Sequence, residues 1–158
     1  MPVESFEIRA ATDADRLPIA VLFAALAEER DGIATEPPVD VEARAASWTL
    51  EGTLVAVAGT DVVGSLHLWP TPHGFADFGM GVAKEWRGRG VGSALLTAAI
   101  EWARERSLHK LSLSVFAHNT AAIALYRKLG FVEEGRRVKQ YRRASGELWD
   151  AIDMGLLL

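Results

Sequence analysis

Hydrophobic residues along the chain follow two different periods. Short runs rich in β-branched and aromatic residues alternate apolar and polar positions, as half-buried strands do, and longer segments repeat apolar residues at helical spacing. The predicted strands cover residues 6–10, 53–58, 62–69, 75–82, 110–116, 131–141 and 148–157. The first predicted helix begins after Thr12-Asp13, which would be its N-cap. The other predicted helices cover residues 39–50, 90–106 and 119–129, and Gly130 is placed as the C-cap of the last one. This order, βααβββαβαββ, predicts a mixed α/β fold in which helices cover one sheet.

Length and composition indicate a single globular domain over residues 1–158. The chain has 49% hydrophobic and 24% charged residues and no cysteine, which excludes disordered and collagen-like classes, a disulfide framework and a thiolate nucleophile. The four histidines show no metal-ligand spacing, so we expect no metal. The longest apolar run, residues 18–27, is too short for a bilayer, and no basic region precedes an apolar stretch at the N-terminus. We therefore expect no membrane partner and a cytoplasmic location.

Charge is distributed unevenly between the two halves of the chain. Residues 1–83 carry 4 Lys/Arg and 13 Asp/Glu, whereas residues 84–158 carry 13 and 8. The acidic total argues against nucleic acid as a partner. A basic half suits an anionic cofactor and an acidic half suits a cationic substrate, although uneven surface charge without a function gives the same pattern.

A glycine-rich turn stands directly before the long third helix. It follows a strand that ends near Val82 and reads Arg87-Gly88-Arg89-Gly90-Val91-Gly92. The first turn of a helix has unpaired N–H groups and a positive dipole end, and glycines let a phosphate approach them. The two arginines add forked donors that suit phosphate. The turn therefore predicts an anion site, with a turn that only requires positive φ as the alternative. Neither the Walker pattern nor the dinucleotide pattern is present.

Two motifs give the chain a specific resemblance to the GCN5-related N-acetyltransferases. The acetyl-coenzyme A loop of that family corresponds to Arg87-x-x-Gly90-x-Gly92, and its second signature corresponds to residues 119–131, which include Asn119, Tyr126 and Gly130. The element order also agrees, so the resemblance covers nearly the whole chain. It implies a central, mostly antiparallel sheet of about seven strands flanked by four helices. Residues 76–79, 114–116 and 146–151 look closest to the branch that includes bacterial amino-acid N-acetyltransferases.

The resemblance implies acetyl-coenzyme A as cosubstrate and assigns residues to it. The cofactor would lie between the strand ending near Val82 and strand 110–116, with the Val82 N–H facing the thioester carbonyl. Tyr126 matches the general acid that protonates the leaving thiolate, and Asn119 matches a position that either binds coenzyme A or caps its helix. The implied cofactor-binding residues are Val82, Arg87, Gly88, Arg89, Gly90, Val91, Gly92, Ser93, Asn119 and Tyr126.

The base and the acceptor pocket are less sharply marked. Asp77 is a candidate base, although strand alternation puts it opposite Val82 unless a bulge intervenes, and a water relay is the alternative. Glu36, Trp69 and His118 are candidates for the acceptor pocket, each with a structural alternative. The five cations within residues 136–143 predict either a solvated hairpin face or a contact with the 3′-phosphate of coenzyme A or a substrate carboxylate.

Taken with the resemblance, these residues predict an enzyme that moves an acetyl group from acetyl-coenzyme A to the primary amine of a small molecule, such as an amino acid. The amine would attack directly in a ternary complex, without an acyl-enzyme. The alternatives are a protein or peptide acetyltransferase, acting on an N-terminus or a lysine, and a non-catalytic coenzyme A sensor. The resemblance also implies a homodimer, to which the apolar last strand (residues 152–158) would contribute.

Overall fold

The computed structural model describes residues 5–158. Within them the backbone forms one seven-stranded sheet in the order β1-β2-β3-β4-β5-β7-β6, in which only β4 and β5 are parallel neighbours. The strands are β1 Glu7–Ala10, β2 Thr53–Ala58, β3 Asp61–Pro70, β4 Phe75–Val82, β5 Lys110–Phe116, β6 Val132–Arg142 and β7 Leu148–Leu157. The predicted element order and the mostly antiparallel sheet are confirmed.

Four α-helices connect the strands in the predicted positions. They are α1 Arg16–Glu28, α2 Val41–Ser47, α3 Val91–Glu105 and α4 Thr120–Lys128. Thr12 caps a short 3-10 turn, Asp13–Asp15, that precedes α1 instead of capping α1 itself. The second helix is shorter than predicted because Trp48 leaves the helical conformation (ψ 130°) and its indole donates to Thr53 Oγ1 at 3.1 Å.

The helices pack on two faces of the sheet. The α3 face carries the main core, in which Ala76, Phe78, Leu111, Leu113 and Met154 are buried together with residues of α3 and α4. The α1 face carries a smaller core, in which Ile19 packs on Val55 and Val57. Helix α1 packs on β3 and β4. Beyond the helix, the same face of the sheet extends over β5, β7 and β6 and carries polar side chains there.

Strands β4 and β5 diverge after a short parallel contact. Only Phe75–Lys110, Ala76–Leu111 and Asp77–Ser112 are paired between them, whereas β4 stays paired with β3 up to Val82 and β5 stays paired with β7 up to Phe116. The sheet is therefore open between residues 78–82 and 113–116, and the Asp77–Ser112 pair marks the vertex of this opening. The divergence predicted from the resemblance is present.

The last strand does not lie where an apolar edge would be offered to a second molecule. β7 is flanked by β5 and β6, and its side chains at 152 and 154 are buried in the main core. Leu157, 76% exposed, and Leu148, 44% exposed, are the large apolar residues of β7 that remain outside. The apolar side chains at 152 and 154, which we expected to contribute to a dimer, are thus buried within the protomer. No helix among residues 5–158 has the length and apolar character needed to cross a membrane.

Candidate active site

The glycine turn forms an open cradle at the start of α3. Gly88 and Gly90 have φ values of +74° and +85°, and a Cβ added at either would meet no heavy atom within 4 Å. Gly90 is the N-cap of α3 and offers no side chain to the first-turn N–H groups, which include that of Ser93. Val91 is 1% exposed and anchors the helix in the core, so it contributes only its backbone. The first-turn N–H groups of α3 are thus left without a side-chain cap, and the anion site predicted here stays a prediction.

Gly92 and Gly81, the latter in β4, are needed for close packing instead. A Cβ on Gly92 would lie 2.9 Å from Leu125 Cδ2, and a Cβ on Gly81 would lie 2.3 Å from Leu26 Cδ1. The first contact lets α4 approach α3, and the second lets α1 approach β4. Both helices are thereby held against the borders of the opening.

Arg87 joins the turn to α1 and to the end of β4. Its two Nη atoms bind the carboxylate of Glu29 at 2.7 Å each, and its Nε donates to the carbonyl of Val82 at 3.1 Å. Arg89 stacks over the ring of Trp86, 4.7 Å from its centroid. The phosphate contacts predicted for these two arginines stay predictions, while Arg87 has a visible structural task in this fold.

Several backbone N–H groups face the opening. Ala83 donates to the carbonyl of Val63 on β3, so strand alternation points the N–H groups of Val82, Met80 and Phe78 the other way, towards β5. The register between β3 and β4 continues without a bulge from Ala76 to Val82. The donor predicted at Val82 is thus oriented into the opening, and the Met80 N–H is an equivalent nearer the vertex, whereas the Phe78 N–H is used in the parallel pairing of Asp77 with Ser112.

Tyr126 lies on the α3 face beside the opening. Its side chain is 6% exposed and packs edge-on against Phe78 and Phe131, with centroid distances of 6.0 and 5.7 Å. Burial raises the pKa of the Tyr126 phenol to about 12, so the phenol stays protonated at neutral pH. The Asn119 side chain accepts from the N–H of Ala122 at 3.3 Å, so it caps α4, one of its two predicted roles.

Asp77 lies on the α1 face, opposite Tyr126. The unbroken register leaves it in the phase opposite to Val82, as simple alternation predicted, and no bulge reverses this. Its carboxylate is exposed at the vertex of the opening. Trp69, 54% exposed, lies on the same face with its ring 3.6 Å from the position of a Cβ on Gly79. These two predicted residues therefore flank the opening on one side of the sheet.

Three polar residues that sequence reasoning missed, Ser112, Ser114 and Asp153, lie between Asp77 and Arg137, which is one of the five cations predicted within residues 136–143. Asp153 accepts a short hydrogen bond from the Ser114 hydroxyl and another from Arg137 Nε at 2.8 Å. Burial acts to raise the pKa of Asp153, but the hydrogen bonds from Ser114 and Arg137 outweigh it and lower that pKa. We call Asp77, Ser112, Ser114, Asp153 and Arg137 the polar row. Asp153, the polar residue within the otherwise apolar residues 151–157, was the signal that could have found it.

Glu36 and His118 hold the loop between α1 and α2, residues 29–40. Glu36 Oε2 accepts from the N–H of Ala144 in the β6–β7 turn at 2.8 Å, and His118 Nε2 lies 2.9 Å from Asp31 Oδ1. His118 also packs edge-on against Trp149, at 4.6 Å, beside an open groove of about 370 Å³. Glu36 and His118 thus fix the α1–α2 loop in place, and their role in an acceptor pocket stays a prediction.

Arg143 does not belong to a solvated hairpin face. It is 4% exposed, donates to the carbonyls of Ala34 and Ile33 at 2.9 and 3.4 Å, and stacks over Trp149 at 4.4 Å. The solvated-face interpretation is therefore wrong for this residue, because the folded α1–α2 loop covers it. The buried cation links that loop to the β6–β7 turn.

Comparison with known proteins places this geometry in a family. The model of the acetyltransferase (GNAT) family matches residues 21–131. An L-amino acid N-acetyltransferase of Escherichia coli, AaaT, is 40% identical over 109 residues, which cover 64% of this chain and 65% of the relative. The N-alpha-acetyltransferase RimI of Mycobacterium tuberculosis is 37% identical over 95 residues, covering 60% of this chain and 55% of the relative. The chain thus spans less than two thirds of the length of these curated relatives.

Solved structures agree over nearly the whole chain. A ribosomal-protein-alanine N-acetyltransferase from Brucella melitensis has a TM-score of 0.86 and 33% identity, covering 96% of this chain and 99% of its own. A GCN5-related N-acetyltransferase from Kribbella flavida has a TM-score of 0.85 and 29% identity, covering 98% and 99%. With the diverging strands and the glycine turn, these matches show that the chain belongs to the acetyltransferase (GNAT) family, as its two motifs predicted.

Proposed function

We propose that this protein transfers the acetyl group of acetyl-coenzyme A to the primary amine of a small molecule, and that free amino acids are its acceptor class. The observation that carries the proposal is the opening between β4 and β5. It has the glycine turn at one end and the polar row on its α1 face, so a cosubstrate and a small acceptor can meet inside the sheet. The likeness to a relative named as an L-amino acid N-acetyltransferase supports the acceptor class.

The residues around the opening fit the cosubstrate. The N–H groups from Gly88 to Ser93 would take its pyrophosphate, because the two open glycines leave space and the first turn of α3 has no side-chain cap. The N–H groups of Val82 and Met80 would pair with the extended arm as a further strand does. When bound, acetyl-coenzyme A supplies an acetyl group activated as a thioester.

The chain's own residues can direct the transfer. The Val82 N–H, or an equivalent nearer the vertex, donates to the carbonyl oxygen where negative charge develops. Tyr126 is held neutral by burial and can donate to the departing sulfur. Attack by the amine is direct, and no acyl-enzyme is required.

Asp77 is the proposed acceptor of the amine proton. Five residues of extended strand separate it from Val82, roughly 16 Å, so the proton travels through water if the carbonyl sits at Val82. A carbonyl held by the Met80 N–H would lie closer to Asp77. A pH–rate profile that is unchanged in Asp77→Asn would remove Asp77 from this role.

A peptide or protein acceptor is the second candidate. It is favoured by the names of the Mycobacterium tuberculosis and Brucella melitensis relatives, which are an N-alpha-acetyltransferase and a ribosomal-protein-alanine N-acetyltransferase. Against it stands the α1–α2 loop, which Glu36 and Arg143 hold onto the β6–β7 turn and which closes one end of the site. A cytoplasmic location and a homodimer remain predictions.

The test is thiol release from acetyl-coenzyme A with a panel of acceptors and a no-amine control. The panel holds free amino acids, polyamines, aminoglycosides and short peptides. Because the chain has no cysteine, a thiol-reactive dye reports only released coenzyme A. We expect the largest signal from amino acids. A signal confined to peptides would support the second candidate, and tight acetyl-coenzyme A binding without turnover would favour a sensor.

A further inference from the structure

Arg137 presents an open guanidinium fork on the α1 face. It is paired with Ala151 of β7, which is paired in turn with Phe116 of β5, so its side chain leaves the sheet on the same side as Ser114 and Asp77. The side chain is 52% exposed. Within residues 5–158, its hydrogen bonds use only Nε, on Asp153 Oδ2 at 2.8 Å. The donors of the two Nη groups are therefore not used within these residues.

The fork is held in a defined place. Ser114 braces the Asp153 carboxylate on the side opposite Arg137, so the aspartate cannot rotate freely away from the guanidinium. Gly135 is paired with Asp153 and contributes no side chain, and a Cβ there would meet nothing within 4 Å. The surface beside Asp153 is therefore open on the β6 side.

The fork faces the opening. Asp153 is paired with Ser114, two residues beyond the Ser112–Asp77 pair that marks the vertex. The hydrogen bond and the charge of Asp153 raise the pKa of Arg137, and Tyr141 and Asp77 add smaller contributions of the same sign. The Asp77 carboxylate is thus close enough to interact with the guanidinium across the polar row.

We infer that Arg137 binds the α-carboxylate of the acceptor amino acid, while Asp77 lies on the side of its amino group. A guanidinium fork matches a carboxylate in two parallel hydrogen bonds, which an ammonium on a flexible stem does not reproduce. The polar row has one cation at its β6 end and the carboxylate of Asp77 at its β4 end, and a zwitterionic α-amino acid complements this arrangement. This inference rests on the proposed function and makes Arg137 a determinant of acceptor specificity.

The neighbouring cations do not share this position. Arg136 is paired with Ile152, lies on the opposite face and binds Asp150 through Nε at 2.9 Å and Nη2 at 2.7 Å. Arg143 is buried under the α1–α2 loop. Arg136 is therefore a matched control, since it lies next to Arg137 in sequence and also pairs with an aspartate, but outside the polar row.

The test compares the wild type with Arg137→Gln, Arg137→Lys and Arg136→Gln. The acceptors are the L-amino acid with the highest thiol-release rate and its α-carboxamide, which keeps the amine and side chain but lacks the carboxylate. We expect Arg137→Gln to raise the KM for the amino acid by about tenfold to a hundredfold, with the KM for acetyl-coenzyme A unchanged. Wild type should prefer the amino acid over its amide, and Arg137→Gln should lose this preference. Arg137→Lys keeps the charge without the fork and should lie between them.

The outcomes separate the inference from the proposed function. Amino acids acetylated equally well by Arg137→Gln and Arg136→Gln would overturn the role of Arg137 and leave the function standing. An amide as good as the amino acid for the wild type would do the same. Failure of the wild type to acetylate any free amino acid would overturn both. Thermal melting of each variant verifies folding. We expect the melting temperatures to be unchanged because both arginine side chains are exposed.

Discussion

Tyr126 combines the two properties that a proton donor beside a leaving thiolate needs. It lies at the border of the opening, fixed by the rings of Phe78 and Phe131, and its phenol is kept neutral by burial. A helical tyrosine at this spacing is compatible with either a core role or a catalytic one. The Tyr126 ring packs in the core against Phe78, at the start of the opening, and under the proposed function the same residue would also donate the proton.

We expect Tyr126→Phe to lower kcat by about a hundredfold, with the affinity for acetyl-coenzyme A little changed. A hundredfold is the low end of general acid catalysis, and a thiolate with a pKa near 8.5 leaves with modest help. The substitution keeps the ring and so should keep the fold. Steady-state kinetics and a calorimetric titration with acetyl-coenzyme A give the two quantities, and an unchanged kcat would remove Tyr126 from the mechanism.

The same variant should change the alkaline limit of stability. Since burial raises the folded-state pKa to about 12, the Tyr126 contribution is fully present below about pH 10 and is lost as pH rises towards 12, where the unfolded chain ionises first. The wild type should lose about 2–3 kcal/mol more than Tyr126→Phe across this window. Urea unfolding at several alkaline pH values measures it, and parallel curves would contradict the burial argument.

At the scale of elements, the glycine turn and the diverging strands act together. The positive φ at Gly88 and Gly90 gives the chain the path from β4 into α3 that leaves the first-turn N–H groups uncovered, while Gly92 and Gly81 let α4 and α1 approach closely. These glycines therefore have two roles. Gly88 and Gly90 leave the N–H donors of α3 uncovered, and Gly92 and Gly81 let α4 and α1 pack close to the elements that border the opening.

Gly88→Ala and Gly59→Ala form a matched pair that separates these effects. Both glycines have positive φ, +74° and +60°, and neither Cβ would meet an atom within 4 Å, so each variant should lose about 1–2 kcal/mol of stability from backbone strain. Only Gly88→Ala should also weaken acetyl-coenzyme A binding, because Gly59 lies in the β2–β3 turn. Equal dissociation constants for the two variants would show that the turn does not hold the cosubstrate.

At the scale of the whole molecule, the groups proposed for the cosubstrate lie on one face of the sheet and those proposed for the acceptor lie on the other. The α3 face offers the glycine turn and the buried phenol, and the α1 face offers the polar row, Trp69 and the α1–α2 loop. The opening is the passage between them. The uneven charge of the chain agrees with this division only in part, since the cations of residues 136–143 are distributed over both faces and the interior.

The oligomeric state is a property of the whole molecule that the last strand does not explain. We expect light scattering to give twice the chain mass of 17.2 kDa, and Leu157→Ser to leave that mass unchanged. One exposed leucine is a minor part of an interface, which buries on the order of 800 Å² per partner. A mass equal to one chain at working concentration would contradict the dimer. Dissociation of the Leu157→Ser variant would show that the last strand forms part of the interface.

The sequence by itself determined the element order, the glycine turn before α3, the end of α4 near Gly130 and the family, because each depends on residues close together in the chain. Hydrophobic period, N-cap residues and alternating glycines act locally, so near neighbours suffice to predict them. Only the tertiary structure decided that Arg137, Asp153, Ser114 and Asp77 form one polar row, since they come from four strands whose sheet order differs from the chain order. It also decided that Arg143 is buried and that Arg87 binds Glu29, because the partner of a long charged side chain depends on which loop folds against it.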